Sequence, residues 1–397
     1  SGRLISDAEK IMQANYVRGV DGEKALYGFV PTRGNGCVTY VKEAWATAAG
    51  YSADELKKTP LSYKEYYEML KKMKEAKGVD YVISAPGFYS KEAPYTNYLP
   101  EFYQNAQFTF YYDQAKGEYV DGFTQQEMKD ALQRIQNAVK DGVIDKATLG
   151  QKTTDARNKF FSTDASSESG VFSYWAGTWA NTLMTNLKSK GLPTDLIAIN
   201  PIKELGTYVE RIAPAWCITT SAKNPEGIFK YFIDTMLDGG DIQTAWEYGA
   251  KGTHWNDKAE TVTLADGKGT YEYKEGEFHF LPSPEKPSTL MSKNHIDPIL
   301  ALAKYQDGKE DPGAGAITET AKTNGDFFAE NSTVAVPLPM TETLGENSTD
   351  INTTRNKVIS EVALGNMTVE EGMKLYKDRV GTLVEDVLKS LNDKKSK

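Results

Sequence analysis

The sequence predicts an α/β protein of two lobes, and three observations carry that expectation. At 397 residues the chain is past the size at which a single hydrophobic core keeps growing, so two compact units are expected. Amphipathic helical stretches alternate with short apolar runs of strand character, the pattern of layers in which helices cover both faces of a mostly parallel sheet. Capping residues and glycine stops place many of the helix ends.

Three capping boxes open helices: Ser62 with Glu65, Thr124 with Glu127, and Thr368 with Glu371. In each, the hydroxyl accepts from the amide three residues on and the glutamate reaches back. After Thr124 the residues Met128, Leu132, Ile135 and Val139 recur on one helical face that ends near Gly142. Asn224 reads as an N-cap, with Pro225 at the first helical position and Gly239 and Gly240 past the end. Apolar runs at Tyr81 to Ser84, Gly170 to Trp175, Leu196 to Ile199 and Trp216 to Thr219 read as buried strands. Alternation at Thr261 to Leu264 and Thr270 to Tyr273, around a glycine-bearing turn, reads as an exposed hairpin. The stretches Asp311 to Gly315 and Asn347 to Asn352 read as loops.

A net charge of −9 with scattered lysines disfavours nucleic acid as a partner. No run approaches the roughly 18 apolar residues of a membrane helix, and Ser1 to Asn15 does not read as a signal peptide. His254, His279, His295, Cys37 and Cys217 show no metal-ligand spacing, so neither a metal nor a cofactor is expected. There is no G-x-S-x-G elbow, Walker loop, H-E-x-x-H or dinucleotide fingerprint. Carboxylate pairs such as Glu370 and Glu371 read as solvated helix faces rather than acid/base catalysts, so no catalytic residue is assigned.

Tyrosines outnumber phenylalanines 23 to 15, which suggests rings at wet surfaces as well as in cores. The run Tyr174-Trp175-Ala176-Gly177-Thr178-Trp179 follows a strand and precedes a helix. Indoles at the carboxyl end of a strand in an open α/β sheet fall where such sheets bind ligands, and sugars offer apolar C–H faces that stack on rings. These residues read as a shelf in the C-terminal lobe, with core packing as the alternative.

Along nearly the whole chain the segments Asp21 to Pro31, Thr39 to Glu43, Leu61 to Lys74, Asp141 to Asp145, Phe160 to Trp179 and Pro214 to Phe232, in this order, resemble those of family 1 extracellular solute-binding proteins of ABC importers. The first resembles an early strand of that family, the second its passage into the second lobe, and the third a characteristic helix. Glu247 to Trp255 resembles a stretch of the larger, sugar-binding members that are similar to the LplA and YtcQ lipoproteins. The chain opens at Gly2 to Asp7, which resembles a segment that normally follows the first βαβ units, so the N-terminal lobe is expected to be incomplete.

The resemblance implies a two-lobed, periplasmic-binding-protein-like (type II) fold with hinge crossovers at Gly34 to Val38, Ala213 to Cys217 and near Lys304. Residues 1–36 and 215–303 form the N-terminal lobe, with a hairpin insertion at 256–280, and residues 37–214 and 304–397 the C-terminal lobe. Ligand is expected between them, with closure by a hinge. Carried over by position, the ligand-binding candidates are Arg33, Asn35, Tyr95, Asn97, Trp175, Trp179 and Trp216, then His254, Trp255 and Met340. For Trp255 with His254 the alternative is pinning the hairpin, and for Met340 it is gap-filling in a core. The implied partners are a carbohydrate ligand and ABC permease subunits, for a monomer at the extracellular face, lipid-anchored or periplasmic. A peptide or lipid receptor of the same fold and a glycan-acting enzyme are the alternatives. Pairing of the crossovers near Gly34 and Pro214 would hold Cys37 and Cys217 beyond disulfide reach, so both are expected as free, buried thiols.

Overall fold

The computed structural model describes residues 3–13, 15–18, 24–89, 96–164, 166–265, 267, 269–336 and 338–395. They fall into two units: residues 1–35, 176–183 and 211–327 form unit 1, and residues 36–175, 184–210 and 328–397 form unit 2. Relative to the lobes expected from sequence, residues 176–183, 211–214 and 304–327 lie in unit 1, and Gly36 lies in unit 2.

Unit 2 is built on strands β1 (Cys37–Lys42), β2 (Val171–Trp175) and β3 (Leu196–Ala198), with β1 central and antiparallel to both neighbours. Ile83 extends this sheet beyond β2 through parallel bridges to Val171 and Ile144. The sheet is thus mixed rather than mostly parallel. The reason is that β1 is entered directly from unit 1, without the helical crossover that parallel neighbours require. A parallel pair, β4 (Tyr208–Glu210) and β5 (Ser332–Val334), completes the strands that concern the crossings.

Helix α1 (Tyr63–Lys77) starts at the expected box, with Ser62 accepting from Glu65 N and Glu65 accepting from Ser62 N, and ends at Gly78 in the left-handed region. Helix α2 (Gln126–Lys140) buries Met128, Leu132, Ile135 and Val139, as its periodicity requires, and the chain turns at Gly142. The Thr124 box is absent. Thr124 donates instead to Asp121 O, closing a short 3₁₀ turn, and the helix begins two residues later.

Helix α3 (Trp179–Ser189) spans the return of the chain to unit 2. The Asn347 to Asn352 stretch is not a loop but lies within α5 (Glu342–Ala363), which follows α4 (Asp241–Tyr248) of unit 1. Burial of Leu344, Ile351, Thr354, Arg355 and Val358 on one face overrides the weak local propensity. The Thr368 box holds, and α6 (Val369–Lys395) packs Val369, Tyr376, Val380 and Val387 into the unit 2 core. At the centre of that core Arg355, 1% exposed, donates to the Asp121 carboxylate at 2.7 Å and to Tyr376 Oη at 3.2 Å.

Unit 1 is assembled from extended segments. Ile5 N donates to Leu302 O, Leu302 N to Pro31 O, Arg33 N to Leu300 O, and Phe29 and Trp216 exchange both backbone bonds. Ala8, Ile11, Val30, Ala213, Met236, Leu237, Ile296 and Leu302 form its core. The Asn224 cap is present, accepting from Gly227 N at 2.9 Å, but only Pro225–Ile228 is α-helical before a π turn and a 3₁₀ turn carry the chain to Leu237. Glu260–Thr263 and Thr270–Tyr273 pair as the expected hairpin.

The return crossing falls between Glu210 and Arg211, four residues before the 214/215 boundary that the resemblance implied. In unit 1 Arg211 N donates to Asn35 O at 3.0 Å. In unit 2 Gly36 packs so tightly on Val209 that a Cβ would overlap its carbonyl. Ala213 to Cys217 accordingly runs beside Gly28 to Val30 rather than Gly34 to Val38. Both cysteines are free. Cys37 is buried as expected, whereas Cys217 is exposed, on an extended segment whose residues Pro214 to Cys217 all face solvent.

Candidate functional site

The segment after β2 is the most constrained part of the candidate region. Thr178 donates its N–H (3.0 Å) and its hydroxyl (2.8 Å) to one carboxylate oxygen of Asp297, while the other accepts from Ile299 N at 3.0 Å. Asn35, 6% exposed, donates its amide to Ala176 O at 3.1 Å. Asn181 donates to Ala316 O and accepts from Thr318 N, each at 3.1 Å. Gly177 makes this path possible. Its φ of +73° suits glycine, and Asp297 occupies the place a Cβ would take. Burial pushes the Asp297 carboxyl above its ordinary range, opposed by the Thr178 bonds.

This clamp fixes Trp179, at the start of α3, in unit 1, whereas Trp175 ends β2 in unit 2. The two indoles expected in one lobe therefore belong to different units, because the chain crosses at Ala176. Both indoles are half-buried, so neither is a sealed core residue.

Trp216 lies in unit 1 and is 42% exposed, not the buried strand residue its apolar surroundings suggested. Its ring meets Phe232 at 5.5 Å and Trp246 at 5.7 Å, and those two meet at 5.4 Å, all edge to face. Trp246 continues the row to His295 at 5.6 Å. Ile228, Phe229 and Tyr231 are exposed alongside in sequence, so unit 1 offers an aromatic, apolar surface.

The remaining candidates are occupied in various ways. Arg33 pairs with Asp7 at 3.5 Å. Asn97 accepts from Leu99 N at 3.0 Å, a local turn before the helix Pro100–Tyr103. His254 accepts from Ala250 N through Nδ1. Trp255 is 6% exposed, donates its indole N–H to Gly249 O at 2.9 Å and stacks on Phe278 at 5.0 Å, which is the pinning role. Met340 is 72% exposed, against the gap-filling alternative. Tyr95 lies outside the described residues.

Sequence reasoning missed Asp297, Asn181, Phe232 and Trp246. One aspartate among 55 acidic residues carries no local signal, and the ring cluster is joined only by the fold. Among the described residues no group of His, Cys, Asp and Glu is arranged for a metal ion, and no helix is long and apolar enough to cross a membrane.

No family model and no curated protein matches the chain. Solved structures do. An HMO-binding, ABC-transporter-associated solute-binding protein from Bifidobacterium longum infantis matches over 99% of this chain and 83% of its own, with a TM-score of 0.58 at 12% identity. The fold is that of the solute-binding proteins. An N-glycan transport solute-binding protein, NgtS, from Streptococcus pneumoniae covers 98% of this chain and 79% of its own (TM-score 0.57, 14% identity). An extracellular solute-binding protein of family 1 from Alicyclobacillus acidocaldarius covers 96% and 80% (TM-score 0.53, 15% identity). At these identities the solute-binding-protein likeness is one of fold, and it agrees with the architecture expected from the ordered segments.

Proposed function

We propose that the chain is the receptor component of an ABC importer, working outside the cytoplasmic membrane as a lipid-anchored or periplasmic monomer, and that it captures a sugar or oligosaccharide without chemical turnover. The observation that carries the reading is the exposed aromatic surface of unit 1. Trp216 is held edge-on by Phe232 and Trp246 while 42% of it remains open. Ring faces fixed in this way suit the apolar faces of pyranoses, and hydroxyl-bearing and amide side chains supply the polar half of such sites. Two solved proteins of the same fold are named for the HMO or N-glycans they bind or transport.

Loading proceeds by hinge closure, in which the ligand favours the closed state by its extra affinity for it, and the loaded receptor docks on permease subunits. Half-buried Trp175 and Trp179, with Arg33, Asn35 and Met340, are the further contacts we assign. Isothermal calorimetry with a panel of neutral and acidic oligosaccharides tests the reading. At least one sugar should bind, and Trp216→Ala should weaken it by about tenfold, the worth of one aromatic contact. Binding of peptides but no sugar would favour the peptide receptor instead.

A further inference from the structure

We infer that Glu247 and Tyr305 form a proton-operated fastener, which ties the segment 304–311 down on helix α4 while Glu247 is protonated and loosens it as that proton is lost. All the residues concerned belong to unit 1. The segment runs along α4 as a strap. Lys304 N donates to Arg3 O at 2.9 Å, Gln306 N donates to Gly239 O at 2.8 Å, and Lys309 pairs with Asp241 at 3.2 Å. Between them Tyr305 reaches inward to Glu247, which is 1% exposed.

The hydrogen bonds around Glu247 fix which way the protons run. Buried Gln243 accepts from Gly239 N through its Oε1, so its amide nitrogen is the side that donates to Ala303 O at 3.2 Å and to Glu247 Oε1 at 2.9 Å. Tyr305 Oη stands 2.8 Å from Glu247 Oε2 and 3.2 Å from Thr244 Oγ1, and the Thr244 hydroxyl donates to Gly240 O at 3.0 Å. A hydroxyl has one proton to give. With that of Thr244 engaged at Gly240 O, its contact with Tyr305 is a bond when Tyr305 donates, and the proton between Tyr305 and Glu247 must then come from Glu247. A neutral Glu247 therefore completes every bond in the row. An ionised Glu247 takes the Tyr305 proton and leaves the Tyr305 and Thr244 oxygens facing each other with none between them.

The surroundings favour the neutral form. Burial pushes the Glu247 carboxyl up to about 7 against the bonds from Gln243 and Tyr305, and the Asp311 and Asp297 carboxylates add to the rise. Lys322 acts on Asp311 and Lys293 on Asp297. The phenols that face these acids, Tyr248 and Tyr305, are pushed up by burial and keep their protons. When the strap lifts, Glu247 ionises near its ordinary value, so the fastened state holds a proton that the lifted state releases. Fastening is full below the ordinary glutamate range of about 4.3 and is lost as pH rises through the raised value.

The test is amide hydrogen exchange of the full chain at about pH 5 and about pH 8, read at Lys304 and Gln306 as protection factors, which remove the intrinsic pH dependence of exchange. Protection in the unmodified chain should fall by about tenfold or more from the lower pH to the higher. Glu247→Gln, whose amide donates to Tyr305 as the protonated acid does, should stay protected at both, with a fall about tenfold smaller. Asp311 titrates in both proteins, so its share cancels in that comparison. Thr244→Val leaves the Tyr305 proton to Glu247 alone and should move the midpoint of loosening to lower pH. Equal protection at the two pH values in the unmodified chain overturns the fastener whether or not the variants fold. A folded Glu247→Gln that loses protection already at the lower pH identifies a carboxylate anchor instead and refutes the switch, as does one whose pH dependence is undiminished. An unmoved midpoint in Thr244→Val refutes the order of protons.

Discussion

Replacing Glu101 by glutamine should change how stability depends on pH. Glu101 is 1% exposed in the unit 2 core, its carboxyl group accepts from Tyr66 Oη at 3.4 Å, and burial raises its pKa from 4.5 to about 7. In the unfolded chain the group ionises near its ordinary value, so between these values the folded state holds a proton that the unfolded state releases. Stability from this group is therefore full below the ordinary glutamate range of about 4.3 and is lost as pH rises through the raised value. A difference of that size between the two states is worth roughly 3 kcal/mol. The glutamine amide cannot ionise, so the Glu101→Gln variant should gain about 3 kcal/mol on wild type between about pH 4.5 and about pH 8. Any fixed cost of burying the amide cancels in that difference. Urea unfolding at the two pH values, followed through the unit 2 transition, measures it. A variant whose stability difference from wild type is the same at both would refute the reasoning.

Other expectations follow from the same geometry. Arg355→Met should destabilise unit 2 by about 3 to 5 kcal/mol, because it strands the buried Asp121 carboxylate, and adding Asp121→Asn should recover much of the loss in urea unfolding. Trp255→Ala should cost about 3 to 5 kcal/mol, as for a core tryptophan, whereas Trp216→Ala should cost clearly less because its ring is 42% exposed. Thiol labelling of the native protein should modify exposed Cys217 and spare buried Cys37, and unfolding without reductant should expose both. Labelling of Cys37 at the same rate as Cys217 would contradict the packing around β1.

What was legible in the sequence was local. The Ser62 and Thr368 boxes, the apolar face of α2 and the hairpin after Glu260 each depend on residues within a few positions of one another, and each stands as read. What was misread depends on distant partners. The helix through Asn347 forms because Ile351, Thr354 and Arg355 find a core. Thr124 is diverted to Asp121 O. The direction of β1 follows from its origin in the other unit. The site shows the same division. Aromatic residues were visible as types, but the clamp by Asp297 on Thr178, 119 positions away, has no local signature. The exposure of Trp216 depends on which elements lie against it, which its apolar neighbours in sequence misrepresent.

The most direct test of the account is a thermal-unfolding screen of the full chain against neutral and acidic oligosaccharides, amino acids and peptides. A ligand that binds only the folded state at about a hundred times its dissociation constant adds about 2.7 kcal/mol. For a chain of 397 residues that is a rise in midpoint of about 3 °C. The account predicts such a rise with at least one oligosaccharide and none with peptides or amino acids. A rise with peptides alone, or no rise with any sugar, would contradict it.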